Sequence, residues 1–346
     1  MNFFSIIVCA YNTEQYIERA LDSIINQDFD DYQLIIVDDG SNDNTPSIID
    51  SYKADNVIIL HKDNEGAGLS RNCGMQYAIG KYVWFVDSDD EIEESALSFI
   101  HDALAQSDAD LLRLNYRRIE PNNRYPVIEY ASGIYEGRSL ATFKHHFIER
   151  SQSQLFTGWM HIYKRDLIKD ISYLSEKEVA FEDVFFNCEV YQYVKKAQII
   201  NSVFYRYYQR YGSLVIDKKR YCQRILRFYE KIKDKYIKLG CFDEYRNILC
   251  KAILNDAILG NGKPNEGALF LEIFGPDIET IFNQISEVLN SPTMSELLKY
   301  GINNEANDVL KDEYKLLENK DTEGIYCYLR DLSLKARREN NNETKI

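Results

Sequence analysis

Short apolar runs recurring between stretches of helical spacing constrain the fold of this chain more than any other feature. Residues 4–10 (FSIIVCA) form an apolar run, as a parallel strand covered on both faces should. Runs at 34–37, 57–61, 82–86 and 110–115 repeat the pattern. Between them, Ile17, Leu21, Ile24 and Ile25 predict a helix over 13–27, and further helices follow at 45–52, 69–78 and 93–105. Asn12 and Gln15, three residues apart, resemble a capping box for the first helix. Repeated strand–helix units of this kind predict an α/β fold, a mostly parallel sheet flanked by helices.

Ligands of such sheets gather outside the carboxyl ends of the strands. The polar insertions fall there: Tyr11 and Asn12 after the first strand, Asp38-Asp39-Gly40-Ser41 after the second, Asp87-Ser88-Asp89-Asp90 after the fourth. That convergence on one edge is the evidence for a site. Two readings fit the acids at 87–90. They can crowd a helix N-terminus, where the macrodipole favours negative charge. Alternatively, Asp87 and Asp89 can share a Mg2+ or Mn2+ that keeps open positions for phosphate oxygens. Asp38 to Ser41 also fits a plain turn. The stretch 64–74 (NEGAGLSRNCG) is either a flexible connection or a set of backbone N–H groups which, with Arg71, face a phosphate.

Composition removes several alternatives. A net charge of −14 over 346 residues argues against a nucleic-acid surface, and the length fits about two domains. Seven cysteines with no C-x-x-C, and His145 beside His146, supply neither a disulfide framework nor a zinc site. No glycine follows the first strand in the dinucleotide-binding pattern, and the glycines at 260 and 262 lead to Lys263-Pro264 rather than a P-loop. The first apolar run lacks a basic leader, and no run reaches the roughly 20 apolar residues of a membrane span, so the expectation is a cytoplasmic protein.

Beyond residue 120 the pattern changes. A strand near 128–130, helices over 140–149 and 182–194, and an aromatic strand over 203–208 are predicted. Tyr221, Ile225, Phe228, Ile232 and Tyr236 then recur at helical spacing until Gly240, and Ile278, Ile281, Phe282, Ile285 and Leu289 make a second stripe. The domains expected are 1–215 as an α/β domain that carries the site, 216–334 as a mainly helical C-terminal region, and 335–346 as a disordered tail.

SIIVCAYN (5–12), SIINQDF (23–29), LIIVDDGSND (34–43), EGAGLSRNCG (65–74) and FVDSDD (85–90), in this order and spacing, resemble family 2 glycosyltransferases of the GT-A fold. The resemblance is strong over 3–100, looser to 215, and leaves the helical C-terminal third uncovered. It implies inverting transfer of a hexosyl group from a UDP-sugar to an acceptor hydroxyl, with Mn2+ or Mg2+ as cofactor. By the same resemblance Tyr11, beside Asn12 and Asp38, packs near the donor's base, Asp39 bonds the uracil and Arg71 lies near the nucleotide. Asp87 faces the ribose or a metal-bound water, and Asp89 ligates the metal with Asp90 sharing the task. The family's base lies in an E-D pair at a helix start, which matches Glu182 and Asp183. Flanking aromatics would raise such a carboxyl by desolvation, and helix capping is the competing reading.

Trp159, in GWMHIYKRDLI (158–168), resembles the acceptor-side stretch and is read either as a sugar platform or as a core tryptophan. Arg206 and Arg210, in a basic–aromatic segment, are candidates to stabilise the leaving diphosphate. Bacterial surface-polysaccharide synthesis, of capsule or lipopolysaccharide, is the pathway implied, with a lipid-linked acceptor met at the inner face of the cell membrane. The C-terminal helices would pack on the catalytic domain, form a homodimer or touch that membrane; the basic cluster Lys335, Arg337 and Arg338 is too small to anchor alone. A nucleotidyltransferase acting on sugar phosphates, and an inactive sugar-nucleotide-binding assembly protein, are the alternatives.

Overall fold

The computed structural model describes residues 2–119, 124–126, 131–149, 157–175, 178–179, 181–208, 228, 231–246, 315 and 319. The chain divides into two compact units, one of residues 1–144, 154–176 and 181–214, the other of 145–153, 177–180 and 215–346.

In the first unit, β1 (Phe4–Ala10) lies between β2 (Tyr32–Asp38) and β4 (Tyr82–Asp87), parallel to both, and β3 (Val57–His61) pairs parallel with β2. Ile6, Ile7, Ile35, Ile36, Trp84 and Phe85 are all buried, so both faces of these strands are covered, as their continuous apolar runs require. The sheet continues with antiparallel β9 (His161–Lys164), then β6 (Leu111–Ile119) and β10 (Lys196–Tyr208), parallel to each other, and ends on the short antiparallel β5 (Glu91–Ile92). The spatial order is β3-β2-β1-β4-β9-β6-β10-β5; β7 (Arg124–Pro126) pairs with β6 and β8 (Gly133–Glu136) with β10. The parallel reading holds for the first four of these strands and for the β6–β10 pair. Antiparallel members join through β9, β5, β7 and β8.

The helices are α1 (Ile17–Ile25), α2 (Thr45–Ile49), α3 (Ala67–Met75), α4 (Ala96–Ser107), α5 (Gly137–Glu149), α6 (Arg165–Ile168) and α7 (Glu182–Tyr193). The capping box expected before α1 is absent. Asn12 takes a left-handed φ of 51°, and its Oδ1 accepts the Asn42 N–H at 2.8 Å instead, so the helix opens later with no side-chain cap. β9 escaped the sequence reading because His161 breaks its apolar pattern. The imidazole is nevertheless buried, 2.9 Å from the Thr157 carbonyl oxygen and 3.0 Å from the Tyr191 hydroxyl. β10 begins seven residues before the expected strand, at Lys196 rather than 203, because the polar Gln198, Asn201 and Ser202 hid its first half.

In the second unit a helical segment over 231–239 buries Ile232 and Tyr236, and Phe228 is buried too. Gly240 ends the segment with φ 72°; its N–H donates to the Ile237 carbonyl and the Cys241 N–H to that of Tyr236, a Schellman cap. Among the described residues no helix is long and apolar enough to cross a membrane. The expected strand at 128–130, Tyr221, Ile225, the stripe at 278–289 and the tail lie outside the described residues.

Candidate active site

The loops after β1 and β2 lock together at the carboxyl edge of the sheet. The Asn12 N–H donates to Ser41 Oγ at 3.0 Å, Thr13 N–H to Thr45 Oγ1 at 2.8 Å, and Asn44 N–H to Glu14 Oε2 at 2.8 Å. This interlock leaves Tyr11 47% exposed at the mouth of the edge, where a flat ligand can reach its ring. Asp38 is consumed by the turn itself, accepting the Ser41 N–H at 3.1 Å with His61 Nδ1 2.9 Å away. Gly40 holds a φ of 73°, and a Cβ there would come within 2.9 Å of the Asn64 nitrogen. Only glycine lets this turn approach the loop after β3 so closely.

Asp39 faces the loop that leads into α3. Its Oδ1 accepts from Lys62 Nζ at 2.6 Å and from the Glu65 N–H at 3.0 Å, and its Oδ2 accepts the Gly66 N–H at 2.8 Å. Burial pushes this carboxyl up, but the bonds from Lys62, Glu65, Gly66 and Ser70 outweigh it and hold the group below the usual carboxylate range. The N–H groups that the sequence reading aimed at a phosphate therefore bond a carboxylate of the chain.

The acids after β4 are gathered and held. Oxygens of Asp87, Asp89 and Asp90 lie within 4.8 Å of one another. The Asp87 N–H donates to the Tyr205 hydroxyl at 3.1 Å, and that hydroxyl donates to Asp90 Oδ2 at 2.8 Å. Asp90 Oδ1 accepts the Tyr208 N–H at 2.8 Å. β10 thus fixes this loop from the side. Burial first, then the charges of Asp89 and Asp87, push the Asp90 carboxyl well above its ordinary value. Burial likewise raises Asp87, against the pull of Arg71. The oxygen-only donor set fits a hard divalent cation such as Mg2+ or Mn2+.

Arg71 was expected at the nucleotide; instead its guanidinium joins two acids. NH2 lies 3.2 Å from Asp87 Oδ1 and NH1 2.9 Å from Glu182 Oε1, with the residue only 8% exposed. The Tyr173 ring lies 5.4 Å from its Cζ and is itself stacked on Phe186 at 3.9 Å. Gly68 makes this approach possible, because a Cβ there would stand 2.5 Å from the Leu174 carbonyl oxygen and 3.0 Å from Glu182 Cγ. The bridge brings the start of α7 to the acids of β4.

At that start, Phe181 takes a left-handed φ of 57°, a strained conformation for a bulky side chain. Among the described residues the Asp183 carboxylate accepts only the N–H of Val184, at 2.8 Å. Burial and the neighbouring Glu182 charge push its pKa up to about 7, although Arg71 and the Val184 N–H pull the other way. Such a group exchanges a proton near neutrality, as a general base must.

Trp159 and Arg206 are both packed against other parts of the chain. Trp159 is a core residue, not an open platform. It is 5% exposed and stacks on Tyr205 at 4.5 Å and Tyr207 at 5.5 Å, with Tyr116 edge-on at 4.9 Å. Arg206, a candidate for the leaving diphosphate, is held by Glu91 at 3.0 Å and Glu93 at 2.5 Å. Arg210 lies outside the described residues. Sequence reasoning missed Lys62, Tyr173 and Arg19, none of which sits in a motif; Tyr205 opens the basic–aromatic segment, but its hold on Asp90 was not foreseen.

The sequence model described as Glycosyl transferase family 2 matches residues 5–172. GlyA, a glycosyltransferase of Streptococcus pneumoniae serotype 4, is 30% identical over 217 residues, 61% of this chain but only 31% of GlyA, so the chain spans about a third of that relative. EpsH of Bacillus subtilis, a protein named as a glycosyltransferase, is 30% identical over 260 residues, 71% of this chain and 72% of EpsH. A crystal structure of Staphylococcus aureus TarS residues 1–349 in complex with UDP-GlcNAc superposes with a TM-score of 0.63 over 91% of this chain and 92% of that one, at 22% identity. With a GT-A sheet, acids gathered at its carboxyl edge and these relatives, the chain belongs to glycosyl transferase family 2.

Proposed function

We propose that this glycosyltransferase moves a hexosyl group from a UDP-sugar to a hydroxyl of a saccharide acceptor, with inversion at the anomeric carbon. One observation carries the reading: Arg71 ties Asp87, at the donor edge, to Glu182, beside the carboxyl best suited to take a proton. An inverting transfer needs these two elements side by side, because the acceptor hydroxyl attacks the face opposite the leaving diphosphate. The UDP-GlcNAc complex of TarS supports a UDP-sugar as donor.

In this scheme Tyr11, with Asn12, Asp38 and Asp39 shaping the edge, receives the nucleotide base, and Asp183 accepts the proton of the attacking hydroxyl. Glu182, held by Arg71, keeps the acceptor side of the site in place. Asp89, with Asp87 and Asp90, would hold a Mg2+ or Mn2+, which when bound offsets the charge growing on the leaving diphosphate. We place residues 1–215 as the catalytic domain and assign the C-terminal region to acceptor or partner contact. A lipid-linked acceptor in surface-polysaccharide synthesis fits relatives such as the minor teichoic acid biosynthesis protein GgaA of Bacillus subtilis.

Titration calorimetry with UDP, in Mn2+ and in EDTA, tests the donor half. The wild type should bind UDP more tightly with Mn2+, and Asp89→Ala should erase that difference while keeping the metal-free affinity. Equal UDP affinity in both buffers for the wild type would remove the cation from the scheme.

A further inference from the structure

Arg19 belongs to α1, far in sequence from the acids, and its guanidinium meets three other parts of the fold. NH2 donates to the backbone carbonyl of Asp89 at 2.7 Å, Nε lies 2.7 Å from Glu91 Oε1, and Cζ stands 3.7 Å from the centre of the Tyr208 ring. Arg206 grips the other oxygen of the same Glu91 carboxylate at 3.0 Å. The loop carrying Asp87, Asp89, Asp90 and Glu91 is therefore fastened by Arg71 at its start and by Arg19 beyond it. A chain with this many adjacent carboxylates repels itself, and loose ends would splay. A bond to the carbonyl of Asp89 restrains the peptide unit that aims the Asp89 side chain.

We propose that Arg19 is a positioning residue for cation binding, fixing the Asp89 backbone so that its carboxylate is presented to a divalent metal. The inference rests on the reading that this loop binds Mg2+ or Mn2+. Arg19 is a third exposed, with 37% of its side-chain surface open, so it is not needed to fill the core. Its planar fork serves a carbonyl, a carboxylate and an aromatic face together, which an ammonium cannot do. Groups that orient metal ligands in this way typically change affinity by roughly 10- to 100-fold when removed.

The experiment measures free Mn2+ by electron paramagnetic resonance during titration of the full chain with saturating UDP, alongside UDP affinity in EDTA. Arg19→Gln should weaken Mn2+ binding by roughly 10- to 100-fold with metal-free UDP affinity unchanged. Arg19→Lys keeps the charge but loses the fork, and it should fall between Arg19→Gln and the wild type; it also serves if the glutamine variant fails to fold. Wild-type Mn2+ affinity in either variant overturns the proposal, as does an equal loss of UDP binding in EDTA, which would mean a general collapse of the edge. No Mn2+ uptake by the wild type itself would instead strike the cation reading, and the role of Arg19 would fall with it.

Discussion

Two sets of carboxylates meet at Arg71, and they are neutralised differently. At the end of β4, Asp87 receives Arg71, while both oxygens of Asp90 receive donors from Tyr205 and Tyr208. At the start of α7, Glu182 takes the other arm of Arg71, and Asp183 is left with the Val184 N–H. Of the acids after β4, Asp90 is held by two donors and Asp87 by the Arg71 guanidinium. Asp183, the base in the proposed scheme, has no cation in direct contact among the described residues, and burial drives its pKa to about 7. The same residue type becomes a holder or a base according to what satisfies its oxygens.

The largest effect should come from the α7 side. Asp183→Asn keeps the shape and the Val184 bond but removes proton acceptance, so turnover should fall by roughly 10² to 10⁴-fold, with UDP affinity unchanged by calorimetry. Near-normal turnover would make Asp183 a helix cap and collapse the contrast. Next comes the bridge. Arg71→Met would leave the half-buried Asp87 and Glu182 without their partner, a loss of roughly 1–3 kcal/mol in a denaturant titration. It would also raise the acid limb of the kcat profile, because Arg71 lowers the Asp183 pKa. A limb that stayed in place or moved down would show that Arg71 does not govern the base.

A smaller effect is expected at Trp159. Since its ring packs on Tyr205, which holds Asp90, Trp159→Phe should cost roughly 0.5–3 kcal/mol of stability and leave the acceptor KM unchanged. A raised KM with unaltered stability would restore the platform reading. This is also where the sequence was least legible. β1, β2 and β4 announced themselves because strands covered on both faces are dominated by apolar residues, and the polar residues ending them stood out against that background. Glu182 and Asp183 were legible as acids opening a helix. The Arg71 bridge was not: it joins residues 16 and 111 positions away, and no local pattern encodes such a contact. Aromatics such as Trp159 serve cores and sugar sites equally well, so only packing decides between them.

A last effect, read in stability as well as turnover, follows from the elevated pKa of Asp183. In the unfolded chain this carboxyl titrates near 3.8, in the folded chain near 7. Between those values the native state keeps a proton that the unfolded state has released, so stability falls as pH rises through this window and levels off above it. Turnover has the opposite slope, since the base must be ionised, and kcat should rise along an acid limb centred near pH 7. Asp183→Asn removes the penalty for burying the charge. Its melting temperature should match the wild type near pH 4 and exceed it at pH 8. A constant gap between the two proteins across that range would mean that Asp183 is no more perturbed than the exposed acids, and the distinction between holder and base would lose its electrostatic cause.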